Sequence, residues 1–102
     1  MDTEKTLVIF RKFNNDDVIA IFPELPGDYS RYTCLSYIHV GQHGSCSPNL
    51  VIRDTKPATP AEYEDLRQEL TRVGYDLVIK KRYTYKMLLH CSAELDRMNQ
   101  AD

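Results

Sequence analysis

Two apolar stretches near the N-terminus set the hardest condition on the fold: "TLVIFRKF" (residues 6–13) and "VIAIF" (residues 18–22). Side chains alternate across a strand, so Leu7, Ile9 and Phe13 point one way while Val8 and Phe10 point the other. In the second stretch Val18, Ala20 and Phe22 oppose Ile19 and Ile21 in the same manner. A strand with one wet face alternates apolar with polar. These do not, so both faces of their sheet need a cover. The polar cluster Asn14-Asn15-Asp16-Asp17 between them reads as a turn, and the pair as a hairpin.

Further along, "YTCLSYIHV" (residues 32–40) predicts a third strand. "LVIR" (residues 50–53), set off by Pro48 and Asn49, predicts a shorter fourth. The clearest local signal follows. Thr59-Pro60-Ala61-Glu62 places threonine at N-cap, proline at the first helical position and glutamate at N3, a capping box. Tyr63, Leu66, Leu70 and Val73 then form one apolar stripe, and Gly74 stands where a helix ends. "YDLVIKKRY" (residues 75–83) returns to strand character. Leu88, Cys91, Leu95 and Met98 recur at helical spacing, predicting a C-terminal helix over about residues 85–98.

The order is β-β-β-β-α-β-α, an α+β domain with an antiparallel sheet of about five strands, a helix on one face and a C-terminal helix. Four alternating strands and one helical return make the fifth strand parallel to the fourth. It can lie beside the first, antiparallel to it, in the order 4-3-2-1-5, or beside the fourth through a right-handed crossover. The C-terminal helix or a second subunit must then cover the remaining face, so a homodimer belongs to the expectation. At 102 residues the chain holds one core and a single domain, with residues 99–102 expected to fray.

Composition narrows the function classes. A net charge of −2 argues against a nucleic-acid coat, though it leaves room for a local basic patch. No apolar run approaches a membrane span and the N-terminus has no signal-peptide profile, so a cytoplasmic protein away from membranes is expected. Three cysteines, Cys34, Cys46 and Cys91, are an odd set and read as reduced thiols rather than a disulfide framework.

Chemistry-bearing residues concentrate in "HVGQHGSC" (residues 39–46). Cys34, His39, His43 and Cys46 carry zinc-ligand atoms, but Cys34 and His39 face opposite sides of a strand, leaving His39, His43 and Cys46 to converge. No stoichiometric metal and no cofactor are expected. Gly41 and Gly44, flanking Gln42 and His43, would let backbone N–H groups approach a phosphate, with Ser45 and Ser47 as further donors. Neither a complete P-loop nor a dinucleotide fingerprint follows. Cys46 with His43 or His39 as base lacks a third group to orient the imidazole. The preferred reading is a strand end and glycine turn, with His39 in the strand and His43 near the tip; the ligand-binding candidates are His39, Gly41, Gln42, His43, Gly44 and Ser45. A second place for function is "KKRYTYK", whose Lys80, Lys81, Arg82 and Lys86 form a basic patch. On a strand these charges alternate between faces, as on an edge protected by lysine.

"YIHVGQHG", "TKPATPAEYEDLRQEL" and "GYDL" together resemble a family of small uncharacterised proteins of phages, prophages and other bacterial mobile elements. The resemblance runs from the first strand to Tyr83. It implies no chemistry. It implies a context, since such proteins are often accessory factors that bind a host component. The expectation is therefore a non-enzymatic binding module with a protein partner. The alternative is a small-ligand or nucleotide-binding protein centred on residues 41–47, with hydrolysis as the activity such a site would allow.

Overall fold

The computed structural model describes residues 5–38 and 42–99, Gln42 through its backbone only. Six strands and three helices alternate along it: β1 (Lys5–Lys12), β2 (Val18–Phe22), β3 (Cys34–Ile38), β4 (Gln42–Cys46), α1 (Pro48–Asp54), β5 (Lys56–Pro57), α2 (Pro60–Val73), β6 (Asp76–Lys80) and α3 (Tyr85–Asn99). The fold is α+β, an open and mostly antiparallel sheet with a C-terminal helix. Its order is β4-β3-β2-β1, with β5 and β6 sharing the far side of β1.

Both faces of the hairpin are covered, as its apolar pattern requires. Val8, Phe10, Ala20 and Phe22 pack with Tyr37 against Leu66 and Leu70 of α2. Ile9, Ile19 and Ile21 pack with Cys34 against Val51 of α1 and Met87 and Cys91 of α3. On α2 the capping box forms as predicted, Thr59 and Glu62 bonding each other's backbone N–H groups. Tyr63 stacks on Phe10 at 4.4 Å between ring centroids. Val73, the last residue of the predicted stripe, is exposed at 55 %. Gly74, at φ 123°, ends the helix with its N–H bonded to the carbonyls of Leu70 and Thr71.

Two expectations are corrected. Residues 50–53 belong to helix α1, not to a fourth strand. Ser47 is its N-cap, accepting a hydrogen bond from the Leu50 N–H, and Pro48 occupies the first turn. The strand next to β3 is instead β4, formed by the segment read as a glycine loop, with Gly44 opposite Ser36. This exchange also changes the last strand. β6 lies beside β1 as one of the expected orders has it, but parallel: Lys5 pairs with Asp76 and Ile9 with Lys80. α1 carries the chain from the Cys46 end of the sheet back to the Arg11 end, which adds a reversal.

Candidate functional site

The stretch 39–46 does not assemble as one cluster. His39 and Gly41 lie outside the described residues, as does the side chain of Gln42. His43 stands on β4 opposite Tyr37 rather than at a turn tip. Its ring meets Tyr37 edge-on at 4.7 Å, and its Nε2 lies 2.9 Å from the Tyr75 hydroxyl. Ser45 donates to Asp28 at 2.8 Å. That carboxylate also accepts from Thr33 and from the Ser30 N–H, bonds that hold it below the usual carboxylate range. Cys46 faces Cys34 on the α1/α3 side, while His43 is on the α2 side with Tyr37. The convergence expected of His43 and Cys46 is therefore corrected: an odd separation on a strand puts them on opposite faces. Among the described residues no three His, Cys, Asp or Glu side chains gather as a metal site.

The basic patch behaves differently. β6 ends at Lys80, so the alternation expected of a longer strand stops there. Lys80, Lys81, Arg82 and Lys86 all line one cavity of about 570 Å³, together with Thr84 and Glu24. Thr84 caps α3, its hydroxyl accepting from the Met87 N–H at 3.3 Å, so the positive end of that helix opens at the same place. Elsewhere five cations are paired, Lys12 with Glu62, Arg31 with Asp96, Arg53 with Asp54, Arg67 with Glu64 and Arg97 with Glu94. The exposed Lys5, Lys56 and Arg72 have no carboxylate partner among the described residues and line no cavity with one another. Lys80, Lys81, Arg82 and Lys86 have no carboxylate partner among the described residues.

A further cation joins them that the sequence reading passed over. Arg11 is 7 % exposed on β1. Its Nε donates to the Thr55 hydroxyl at 2.9 Å, and its Nη2 to the carbonyls of Ile52 and Thr55 at 3.0 and 2.7 Å. Neutral acceptors solvate the guanidinium but leave its charge uncompensated, and burial lowers its pKa. Arg11 also lines a second cavity, of about 500 Å³, with Asn49, Tyr83, Lys81 and Arg82, and no carboxylate contributes to that lining. The signal in the sequence was the inward set Leu7, Ile9, Arg11 and Phe13, apolar at every member but one. The two cavities share Lys81 and Arg82, so one end of the sheet offers a connected, unneutralised positive surface with a buried arginine at its base.

Comparison of the chain with protein-family models, with curated proteins and with solved structures finds no match.

Proposed function

We propose that this protein is a non-enzymatic binding module whose contact surface is the basic end of the sheet, and that it engages an acidic segment of a protein partner. The observation that carries the reading is Arg11: a buried cation held by carbonyls and facing a cavity that Lys81 and Arg82 also line. An uncompensated charge of this kind attracts an external anion, because desolvation strengthens the interaction beyond that of a surface pair. A carboxylate-rich peptide fits better than a nucleic acid. The patch is confined to one end of a chain with net charge −2, and Glu24 borders it. Tracking a phosphate backbone calls for a longer basic groove. The resemblance to mobile-element proteins adds a context in which the partner belongs to the host.

The alternative centre, residues 41–47, has less support. The His43 imidazole is bonded to Tyr75 and the Ser45 hydroxyl to Asp28, and both contacts tie β4 to its own fold.

Titration of a labelled Glu/Asp-rich peptide against the full chain tests the reading. Two exposed charge pairs at up to about 1 kcal/mol each predict that Lys81→Gln with Arg82→Gln weakens binding roughly tenfold. The effect should shrink with salt, and Arg72→Gln on the outer side of α2 should change nothing. Equal affinity in the double variant, or tighter binding of a single-stranded oligonucleotide than of the peptide, overturns it.

A further inference from the structure

Cys34 and Cys46 stand directly opposite one another on β3 and β4. Both side chains enter the α1/α3 side of the sheet, and their sulfurs lie 3.8 Å apart, in contact but not bonded. Opposed residues of an antiparallel pair have Cα atoms about 4.5–5.5 Å apart, inside the range of about 4.4–6.8 Å that a disulfide spans. Closing the bond therefore needs side-chain rotation and no slip in register. The third thiol, Cys91, belongs to the same apolar cluster but directs its Sγ at the Thr33 carbonyl, 3.8 Å away.

Access differs among the three. Cys34 is 1 % exposed and Cys91 4 %. Cys46 is half-buried at the end of an edge strand, so a reagent meets it first.

We propose that Cys34 and Cys46 are a thiol modification site for low-molecular-weight disulfides of the glutathione class, closing to an intramolecular disulfide that fastens β4 to β3. The Cys46 thiolate attacks one sulfur of the small disulfide, whose S–S bond breaks and releases the first small thiol. Cys34 then attacks the Cys46 sulfur and expels the second. Two protein thiols lose two electrons, one small disulfide gains them, and the two thiol protons end on the two released thiols. The contact between the cysteines suits Cys46 as the first nucleophile: its thiol contact with Cys34, helped by Ser36, holds it below the ordinary thiol value. The same contact and burial push Cys34 up, and the share due to the contact lapses once the Cys46 sulfur is held in the mixed disulfide.

The bond acts at an edge of the sheet. β4 pairs with β3 on one side and stands at one end of the strand order. Cys46 also precedes Ser47, the N-cap of α1, so the link fixes an edge strand and the origin of a helix together.

The test equilibrates the full chain with rising ratios of oxidised to reduced glutathione, blocks free thiols by alkylation and maps the peptides by mass. The expected product is lighter by two hydrogen atoms, links Cys34 to Cys46, leaves Cys91 alkylated and shows slower amide exchange across β4. The Cys34→Ser variant should retain one glutathione on Cys46. If that variant does not fold, Cys46→Ser should remain unmodified at Cys34 and Cys91 under the same conditions. A stable glutathione adduct on wild-type Cys46, first reaction at Cys91, or closure only in denaturant overturns the proposal.

Discussion

Arg11 shows how much one side chain can owe to its surroundings. Its three hydrogen bonds end on a segment more than forty positions away in sequence, the last turn of α1 and Thr55. Thr55 also turns its hydroxyl back to the Val51 carbonyl, so the arginine completes the C-terminus of α1, whose last carbonyls have no partner within the helix. Replacing Arg11 with methionine keeps the aliphatic stem but leaves the buried Thr55 carbonyl and the half-buried Ile52 carbonyl without this donor. The expected loss is about 1–3 kcal/mol in urea unfolding. A loss below about 0.5 kcal/mol would show that these bonds contribute little beyond what water supplies. Arg11→Lys should recover only part of the deficit, because an ammonium cannot reproduce the planar fork that reaches Nε and Nη2 acceptors together. From sequence, position 11 is legible as an inward-facing polar residue on an apolar strand. Its partners are not, since they exist only once α1 is recognised as a helix.

At the level of elements, legibility follows how much of the signal is local. α2 could be read end to end because its capping box, apolar stripe and terminal glycine all lie within one stretch of chain. α1 is only seven residues long, too short to show a period, and "LVIR" suits a strand equally well. Ser47-Pro48 was the start signal that distinguished it. β4 carries almost no strand propensity in "QHGSC" and exists through pairing with β3, which no local window contains.

The same local chemistry makes α2 sensitive to acid. The Glu62 carboxylate accepts from Lys12 and from the Thr59 N–H, which hold its pKa at about 2 against an ordinary 4.5. Arg67 and Gln68 do the same for Glu64, also at about 2. A carboxylate depressed in the folded state contributes its full stability above the unfolded value and loses it as pH falls through the folded one. Stability should therefore decline as pH drops from about 4.5 toward 2. Glu62→Gln should flatten part of that limb in thermal melts, and a double change with Glu64→Gln more of it. Glutamine can still serve at N3 of the capping box, so α2 itself should persist. An unchanged acid limb in the double variant would show that neither pair contributes to pH-dependent stability.

For the whole molecule, the apolar pattern of the hairpin demanded two covers, and the chain supplies both. α2 covers one face of the sheet; α1 and α3 cover the other. The place of the last strand beside β1 was one of two that the sequence left open, since the free edge of β1 and a right-handed crossover beside the fourth strand both suited it. Its direction beside β1 was misread, since direction counts reversals and a single misread segment inverts it. The division of labour on the second face is open to a direct test. α1 contributes Val51 and Ile52, whereas α3 brings Met87, Cys91 and Leu95, all buried. Full burial of side chains of this kind stabilises by roughly 1.5–3 kcal/mol for each large one, so α3 accounts for several kcal/mol. Domain stabilities are about 5–15 kcal/mol in total, and removing α3 would also uncover Ile9, Ile21 and Cys34. A chain ending at Tyr83 should therefore lose its cooperative thermal transition, or recover it only by associating through the uncovered face. Circular dichroism melts with sedimentation analysis distinguish the two. A monomer that still melts cooperatively near the full chain's midpoint would mean that α1 alone closes this side of the sheet.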